Sequence, residues 1–80
     1  MTRTLTLYSR TGCHLCEQML AQVAALDLPH DVSLQTVDVD ADPVLRARFD
    51  VDVPVLALDG EILCCHFLDE AELRQALIDG

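Results

Sequence analysis

Two pairs of cysteines are the residues of this sequence best suited to chemistry. Cys13 and Cys16 are separated by two residues, and Cys64 and Cys65 are adjacent. Four cysteines among 80 residues fall below the roughly 8–10% that is typical of a scaffold built from disulfides. Each pair would close a loop of only a few residues, which removes little entropy from the unfolded chain. The cysteines therefore indicate redox or metal chemistry rather than structural crosslinking.

The first pair lies where a predicted turn meets a predicted helix. Free amide N–H groups and the helix dipole stabilise an anion there, which lowers the pKa of a thiol at Cys13. Arg10 lies three residues upstream and adds positive charge, as His14 does when it is protonated. Cys16 lies one helical turn further along, on the same face, where we expect it to be more buried. This asymmetry favours dithiol exchange, in which Cys13 attacks a disulfide and Cys16 resolves the mixed disulfide.

The spacing of apolar residues predicts the elements that position these cysteines. The order is β-α-β-α-β-β-α, and its β-α-β start implies a right-handed crossover with two parallel strands. The second pair of strands forms an antiparallel hairpin, so we expect an α/β fold with a mixed four-stranded sheet. The predicted strands cover residues 4–8, 32–40, 55–58 and 61–65, and the first predicted helix runs from residue 13 or 14 to about 26.

Local signals mark where several of these elements begin or turn. Asp59 and Gly60 form a dipeptide that is typical of a two-residue hairpin turn. Asp42 followed by Pro43 predicts a helix N-cap with proline at the first helical position. Asp69 is a second candidate cap, at the start of the last helix. A length of 80 residues predicts a single domain over residues 1–80.

Composition excludes several classes of function. Hydrophobic residues make up 51% of the sequence, but no apolar run approaches the roughly 20 residues that a membrane span needs. Five Lys plus Arg against 14 Asp plus Glu give a net charge of −9, which opposes binding to nucleic acid or to anionic membranes. The N-terminal residues show no signal-peptide pattern. We therefore expect a cytoplasmic monomer in a reducing compartment, where a Cys-X-X-Cys sequence indicates redox or metal chemistry.

Two motifs of this sequence, residues 8–16 (Tyr-Ser-Arg-Thr-Gly-Cys-His-Leu-Cys) and the pair Val53-Pro54, resemble the glutaredoxins. The first is similar to the first strand and helix start of that family, and the second resembles its Val-Pro pair. The resemblance covers essentially the whole chain and implies a thioredoxin-like fold with a cis Pro54. It also implies a thiol–disulfide oxidoreductase in which Cys13 is the nucleophile, Cys16 is the resolving thiol and the Val53 backbone pairs with a bound thiol substrate. The substrate-binding residues that it implies are Tyr8, Arg10, His14, Val53 and Pro54.

The sequence departs from the family at two places, one beside Cys13 and one where the family binds glutathione. His14 stands where the family usually has proline, and a basic residue there favours the thiolate. The family's Gly-Gly pair, which lets the backbone approach glutathione, falls on Cys64 and Cys65, whose side chains oppose that approach. Arg10, in contrast, matches the basic residue that contacts a glutathione carboxylate. We expect no required cofactor, and glutathione stays open as a reductant.

The second cysteine pair leaves three interpretations. On a strand, neighbouring residues point to opposite faces, so at least one of Cys64 and Cys65 is expected to be a small buried apolar residue. A second interpretation is a redox relay, in which one of them exchanges with Cys13. The third is a zinc or iron–sulfur module in which Cys13, Cys16 and Cys64 or Cys65 bind the metal, for example as a Cys₃His set with His66.

The partners follow from these alternatives. An oxidoreductase takes a disulfide-containing protein or a low-molecular-weight thiol as its substrate. A further alternative is an adaptor with the thioredoxin fold and idle cysteines, which binds a protein partner along the groove beside Val53 and Pro54.

Overall fold

The computed structural model describes residues 2–79, and its elements follow the predicted β-α-β-α-β-β-α order. One short 3-10 helix is added between the second strand and the second helix. The elements are β1 (Arg3–Ser9), α1 (His14–Ala24), β2 (Val32–Asp38), the 3-10 helix (Val39–Ala41), α2 (Pro43–Phe49), β3 (Val55–Leu58), β4 (Glu61–Cys65) and α3 (Glu70–Asp79).

The four strands form one mixed sheet in the order β2-β1-β3-β4. β1 pairs in parallel with β2 and antiparallel with β3, and β3 pairs antiparallel with β4. The predicted mixed four-stranded sheet is therefore confirmed. Leu5 in β1 pairs with both Leu34 of β2 and Leu58 of β3, so the centre of the sheet is apolar.

Helices cover both faces of the sheet, because adjacent residues of a strand point to opposite sides. On one side, Leu7 and Leu56 pack against α1 and α3, and on the other side Tyr8 and Val55 pack against Phe49 of α2. The first of these two apolar clusters is the larger, and its buried members are Leu5, Leu7, Met19, Val23, Leu56, Leu58 and Leu73.

The prediction of β2 is wrong at its end. The strand was expected to reach residue 40, but it stops at Asp38, whose carboxylate accepts a hydrogen bond of 2.9 Å from the Asp40 N–H. This hydrogen bond caps the 3-10 helix at its start. Val39, the first residue of that helix, is buried in the second apolar cluster. The first helix also ends earlier than predicted, at Ala24, although Leu26 still packs against the main cluster.

The local start and turn signals are confirmed. The Asp42 carboxylate accepts a hydrogen bond of 2.8 Å from the Val44 N–H, and Asp69 accepts one of 3.1 Å from the Glu72 N–H. Gly60 has a positive φ of 88° in the turn between β3 and β4. Among the helices within residues 2–79, none is long and apolar enough to cross a membrane.

Candidate functional site

Cys13 and Cys16 are joined by a disulfide at the start of α1, with their Cα atoms 5.2 Å apart. Cys13 is the N-cap of the helix, and its sulfur accepts a hydrogen bond of 3.1 Å from the Cys16 N–H. Cys16 is only 4% exposed, whereas Cys13 is half-buried. The predicted difference in exposure between the two sulfur-bearing residues is therefore present.

A tight turn between β1 and α1 delivers Cys13 to this position. The Cys13 N–H donates a hydrogen bond of 3.2 Å to the Arg10 carbonyl, and Gly12 adopts a positive φ of 78° that residues with a side chain rarely adopt. The Glu17 N–H then bonds to the Cys13 carbonyl at 3.1 Å, which begins the helical ladder. The Cys16 N–H at the start of α1 therefore points at the Cys13 sulfur, where it and the helix dipole stabilise negative charge.

The guanidinium of Arg10 is bound by two aspartates of this chain. Its Nε and Nη2 donate to the two carboxylate oxygens of Asp40 at 2.9 and 3.1 Å. Nη2 also donates to the Asp50 carboxylate at 2.8 Å, and Nη1 donates to the Asp50 carbonyl at 3.0 Å. These hydrogen bonds raise the pKa of Arg10, and those from Arg10 lower the pKa of Asp40.

Arg10 thus links three segments: its own turn before Cys13, the 3-10 helix and the loop of residues 50–53. Its predicted contact with substrate stays a prediction, and its side chain is already engaged within the chain. Sequence reasoning did not identify Asp40 or Asp50 as its partners.

The loop that follows Asp50 ends in a cis peptide bond between Val53 and Pro54, as the family resemblance implied. Pro54 is buried, and its carbonyl accepts a hydrogen bond of 2.8 Å from the His66 N–H. Val53 is half-buried against the second apolar cluster. Within residues 2–79, no hydrogen bond of the structure uses the Val53 backbone, so its N–H and C=O are available to an extended ligand.

The other two predicted substrate-binding residues lie in different surroundings. Tyr8 packs its ring against Phe49, with ring centroids 4.7 Å apart, and so supports the second apolar cluster. His14 is exposed at the first position of α1, and its Nε2 lies 3.2 Å from the Gln18 side-chain nitrogen. Of these two, only His14 is exposed, and it directly follows Cys13 in the chain.

Cys64 and Cys65 differ in burial, because neighbouring residues of a strand point to opposite faces of the sheet. Cys64 is half-buried against the main apolar cluster, and this burial raises the pKa of its thiol. Cys65 is exposed at the end of β4, opposite Val55. His66 follows with a positive φ of 69°. The expectation that at least one of the two is a buried apolar cysteine holds only in part, because Cys64 packs against the main apolar cluster but stays half-buried.

The predicted Cys₃His metal set is not assembled. No three His, Cys, Asp or Glu side chains in the described part of the chain lie close enough to share a metal ion. The sulfurs of Cys13 and Cys16 are bonded to each other, and Cys64 faces the apolar cluster. An exchange of Cys64 or Cys65 with Cys13 stays a prediction.

The sheet, the helix order, the Cys-X-X-Cys disulfide and the cis-proline loop define a protein of the thioredoxin fold with a thiol–disulfide redox site. The family comparison agrees: residues 4–78 match the model of the glutaredoxin-like domain (DUF836). This chain belongs to that glutaredoxin-like family.

Individual relatives support the same assignment. The Mycobacterium tuberculosis protein Rv0508 is 36% identical over 73 residues, which cover 85% of this chain and 75% of the relative. The solution structure of Ne2328 from Nitrosomonas europaea is 32% identical with a TM-score of 0.82, covering 95% of this chain and 92% of that one. A thioredoxin variant from Halobacterium salinarum is 26% identical with a TM-score of 0.65, covering 96% and 73%.

Proposed function

We propose that the protein is a thiol–disulfide oxidoreductase in which Cys13 attacks the substrate and Cys16 resolves the intermediate. One observation carries this proposal: the half-buried Cys13 sulfur lies at the N-cap of α1, where it accepts a hydrogen bond from the N–H of the buried Cys16. In the reduced protein, the same N–H group and the helix dipole favour the Cys13 thiolate, which is the reactive form.

The proposed reaction follows from the positions of Cys13 and Cys16 at the start of α1. The Cys13 thiolate attacks one sulfur of a substrate disulfide, and the other sulfur leaves as a thiolate that takes up a proton. The Cys16 sulfur, already within reach in the same helical turn, attacks Cys13 and releases the second substrate thiol. The substrate disulfide is reduced to two thiols, and the protein dithiol is oxidised to the Cys13–Cys16 disulfide.

The cis-proline loop supports a role in holding the substrate. The backbone of Val53 offers one donor and one acceptor to an extended chain. We propose that a disulfide-containing protein or a low-molecular-weight thiol binds there. In this proposal the chemistry is confined to the two cysteines, needs no cofactor and takes place in a reducing compartment such as the cytoplasm.

Three variants test this assignment. We expect turnover of 2-hydroxyethyl disulfide with dithiothreitol as reductant, complete loss of turnover in Cys13→Ser, and a mixed disulfide trapped on Cys13 in Cys16→Ser. Mass spectrometry identifies the trapped cysteine. Turnover that survives in Cys13→Ser would refute the proposal, and a partner-binding function that survives without turnover would favour the adaptor. Loss of turnover in Cys65→Ser would instead support the relay.

A further inference from the structure

We propose that this redox site selects cationic disulfides and discriminates against anionic ones, because the charge of Arg10 is taken up by Asp40 and Asp50. This inference rests on the proposed oxidoreductase function and specifies its substrate class. The family resemblance made Arg10 the residue that receives a substrate carboxylate, whereas the contacts of this chain assign its guanidinium to internal partners.

The internal hydrogen bonds of Arg10 leave few of its N–H donors for a ligand. A guanidinium has five N–H donors, and four donor–acceptor contacts already join Arg10 to Asp40 and Asp50. The contact with Asp40 is bidentate, which is the geometry that a substrate carboxylate would itself need. An anionic ligand therefore has to displace a carboxylate that is part of the same chain.

The other four arginines have contacts of their own. Arg46 lies 3.4 Å from the Asp40 carboxylate, so the charges of Arg10, Arg46, Asp40 and Asp50 cancel. Arg48 lies over the ring of its neighbour in α2, 4.7 Å from the ring centroid. Of the remaining two arginines, Arg3 pairs with Asp31, and Arg74 pairs with Glu70 of its own helix, α3.

Negative charge remains at the segments that carry the site. Glu17 lies in the first turn of α1, and Asp52 lies in the loop that leads to the cis-proline. The whole chain carries a net charge of −9, and its field raises the local concentration of cations and lowers that of anions. Both the local and the global charge therefore favour a disulfide that carries positive charge next to its sulfurs.

Three small disulfides of different charge test the selection. Cystamine is a dication, 2-hydroxyethyl disulfide is neutral and 3,3′-dithiodipropionate is a dianion. Quenched-flow mass spectrometry measures the rate at which each disulfide oxidises the reduced protein. Each rate is divided by the rate of the same disulfide with 2-mercaptoethanol, which corrects for differences in the intrinsic reactivity of the three disulfides. At 10 mM ionic strength, where the Debye length is about 30 Å, we expect cystamine to exceed the dianion by at least about tenfold, and the ratio to fall in 0.5 M salt.

Two double variants separate Arg10 from net charge. Asp40→Asn/Asp50→Asn leaves Arg10 without a carboxylate partner. Asp42→Asn/Asp52→Asn removes the same charge from the same two segments but leaves both ion pairs of Arg10 intact, and asparagine caps a helix as well as aspartate does. We expect the first double variant to raise the rate with the dianion about three- to tenfold more than the second does, because it restores an uncompensated charge near the disulfide.

The outcomes of these experiments separate a failure of the proposed charge selection from a failure of the proposed oxidoreductase function. If the dianion reacts as fast as cystamine, the charge selection is wrong while the oxidoreductase function stands. If both double variants shift the ratio equally, Arg10 is not its cause and the proposal fails. If none of the three disulfides oxidises the protein, the oxidoreductase function and the inference fail together.

Discussion

The N–H of Cys16 donates a hydrogen bond of 3.1 Å to the sulfur of Cys13, so each cysteine of the pair has a second role. Cys13 is at once the N-cap of α1 and the more exposed cysteine, and Cys16 supplies the capping N–H and, in the proposed mechanism, the resolving thiol. A cap is ordinarily an oxygen of Ser, Thr, Asp or Asn. A sulfur in its place gains most from the N–H when it is a thiolate, because charged acceptors form stronger hydrogen bonds.

We therefore expect Cys13 to be the first thiol of the reduced protein to react with iodoacetamide as the pH rises. The pH at which Cys13 is alkylated at half its maximal rate should lie below about 8.5, the usual pKa of a free cysteine. Mass spectrometry of samples quenched between pH 4 and 10 measures this for each cysteine separately. The same protein in 8 M urea is the control, because the helix start is lost there. A native half-point no lower than the unfolded one would contradict the stabilised thiolate.

Cys64 should behave in the opposite way in the same experiment. Burial against the main apolar cluster raises the pKa of its thiol, and burial also slows the approach of the reagent. We expect Cys64 to be alkylated last in the native protein, at least about tenfold more slowly than Cys13 at pH 7. In urea the difference should disappear. Equal native rates for the two cysteines would show that Cys64 is not held against the cluster.

The elements were predictable where short-range chemistry decides them. The Asp42 and Asp69 caps and the Asp59-Gly60 turn depend on residues within a few positions of one another, and all three hold in the structure. The end of β2 was missed although its cause is also local. The valines at 37 and 39 continue the strand pattern, but the bond from the Asp40 N–H to the Asp38 carboxylate turns the chain before that pattern ends.

The partners of Arg10 could not be predicted in the same way. Asp40 and Asp50 lie 30 and 40 positions away along the chain, and a sequence with 14 acidic residues offers many candidates. Only the parallel pairing of β1 with β2, which aligns Ser9 with Asp38, brings the 3-10 helix beside the turn before Cys13. The position of the Cys13–Cys16 pair at a helix start was thus predictable by motif and the cis bond before Pro54 by resemblance, whereas the partners of Arg10 depend on tertiary structure.

Phe49 should carry much of the stability of the second apolar cluster. It is 3% exposed and packs against Tyr8, Val39 and Val55. Truncation of a buried phenylalanine typically costs about 3–5 kcal/mol, so we expect Phe49→Ala to lower the free energy of unfolding by about 3 kcal/mol in a urea titration. Val44→Ala in the same helix is the control, because Val44 is 73% exposed and should change stability little. A loss below about 1 kcal/mol at Phe49 would contradict its place in the core.

Gly60 should be required for its backbone conformation alone. Its φ is 88°, and no atom lies within 4 Å of where a Cβ would stand. A residue with a side chain pays roughly 1–2 kcal/mol for a left-handed conformation, so we expect Gly60→Ala to destabilise the protein by about 1 kcal/mol in thermal or urea unfolding. The redox activity of the folded fraction should be unchanged, because the hairpin turn lies outside the site. A substitution without any cost would mean that the turn relaxes to a different conformation.

Arg10 should make stability depend on pH through Asp40. Hydrogen bonds from Arg10 lower the pKa of Asp40 below its ordinary value of 3.8 in the folded protein. A carboxyl whose pKa is lower in the folded state than in the unfolded state stabilises the fold above the unfolded pKa, and this contribution is lost as the pH falls through the folded pKa. We therefore expect wild type to be more stable than Arg10→Gln at pH 7, with the difference shrinking below about pH 4.

Titration of the Asp40 carboxyl carbon by NMR measures the cause directly. Its midpoint should rise in Arg10→Gln, because the hydrogen bonds from Arg10 are gone. Arg74→Gln is the matched control: it removes the same charge, but Arg74 pairs with Glu70 on α3, so the Asp40 midpoint should stay where it is in wild type. If the Asp40 midpoint moves equally in both variants, net charge rather than the contact with Arg10 sets its pKa, and the internal pairing that underlies the proposed charge selection loses its support.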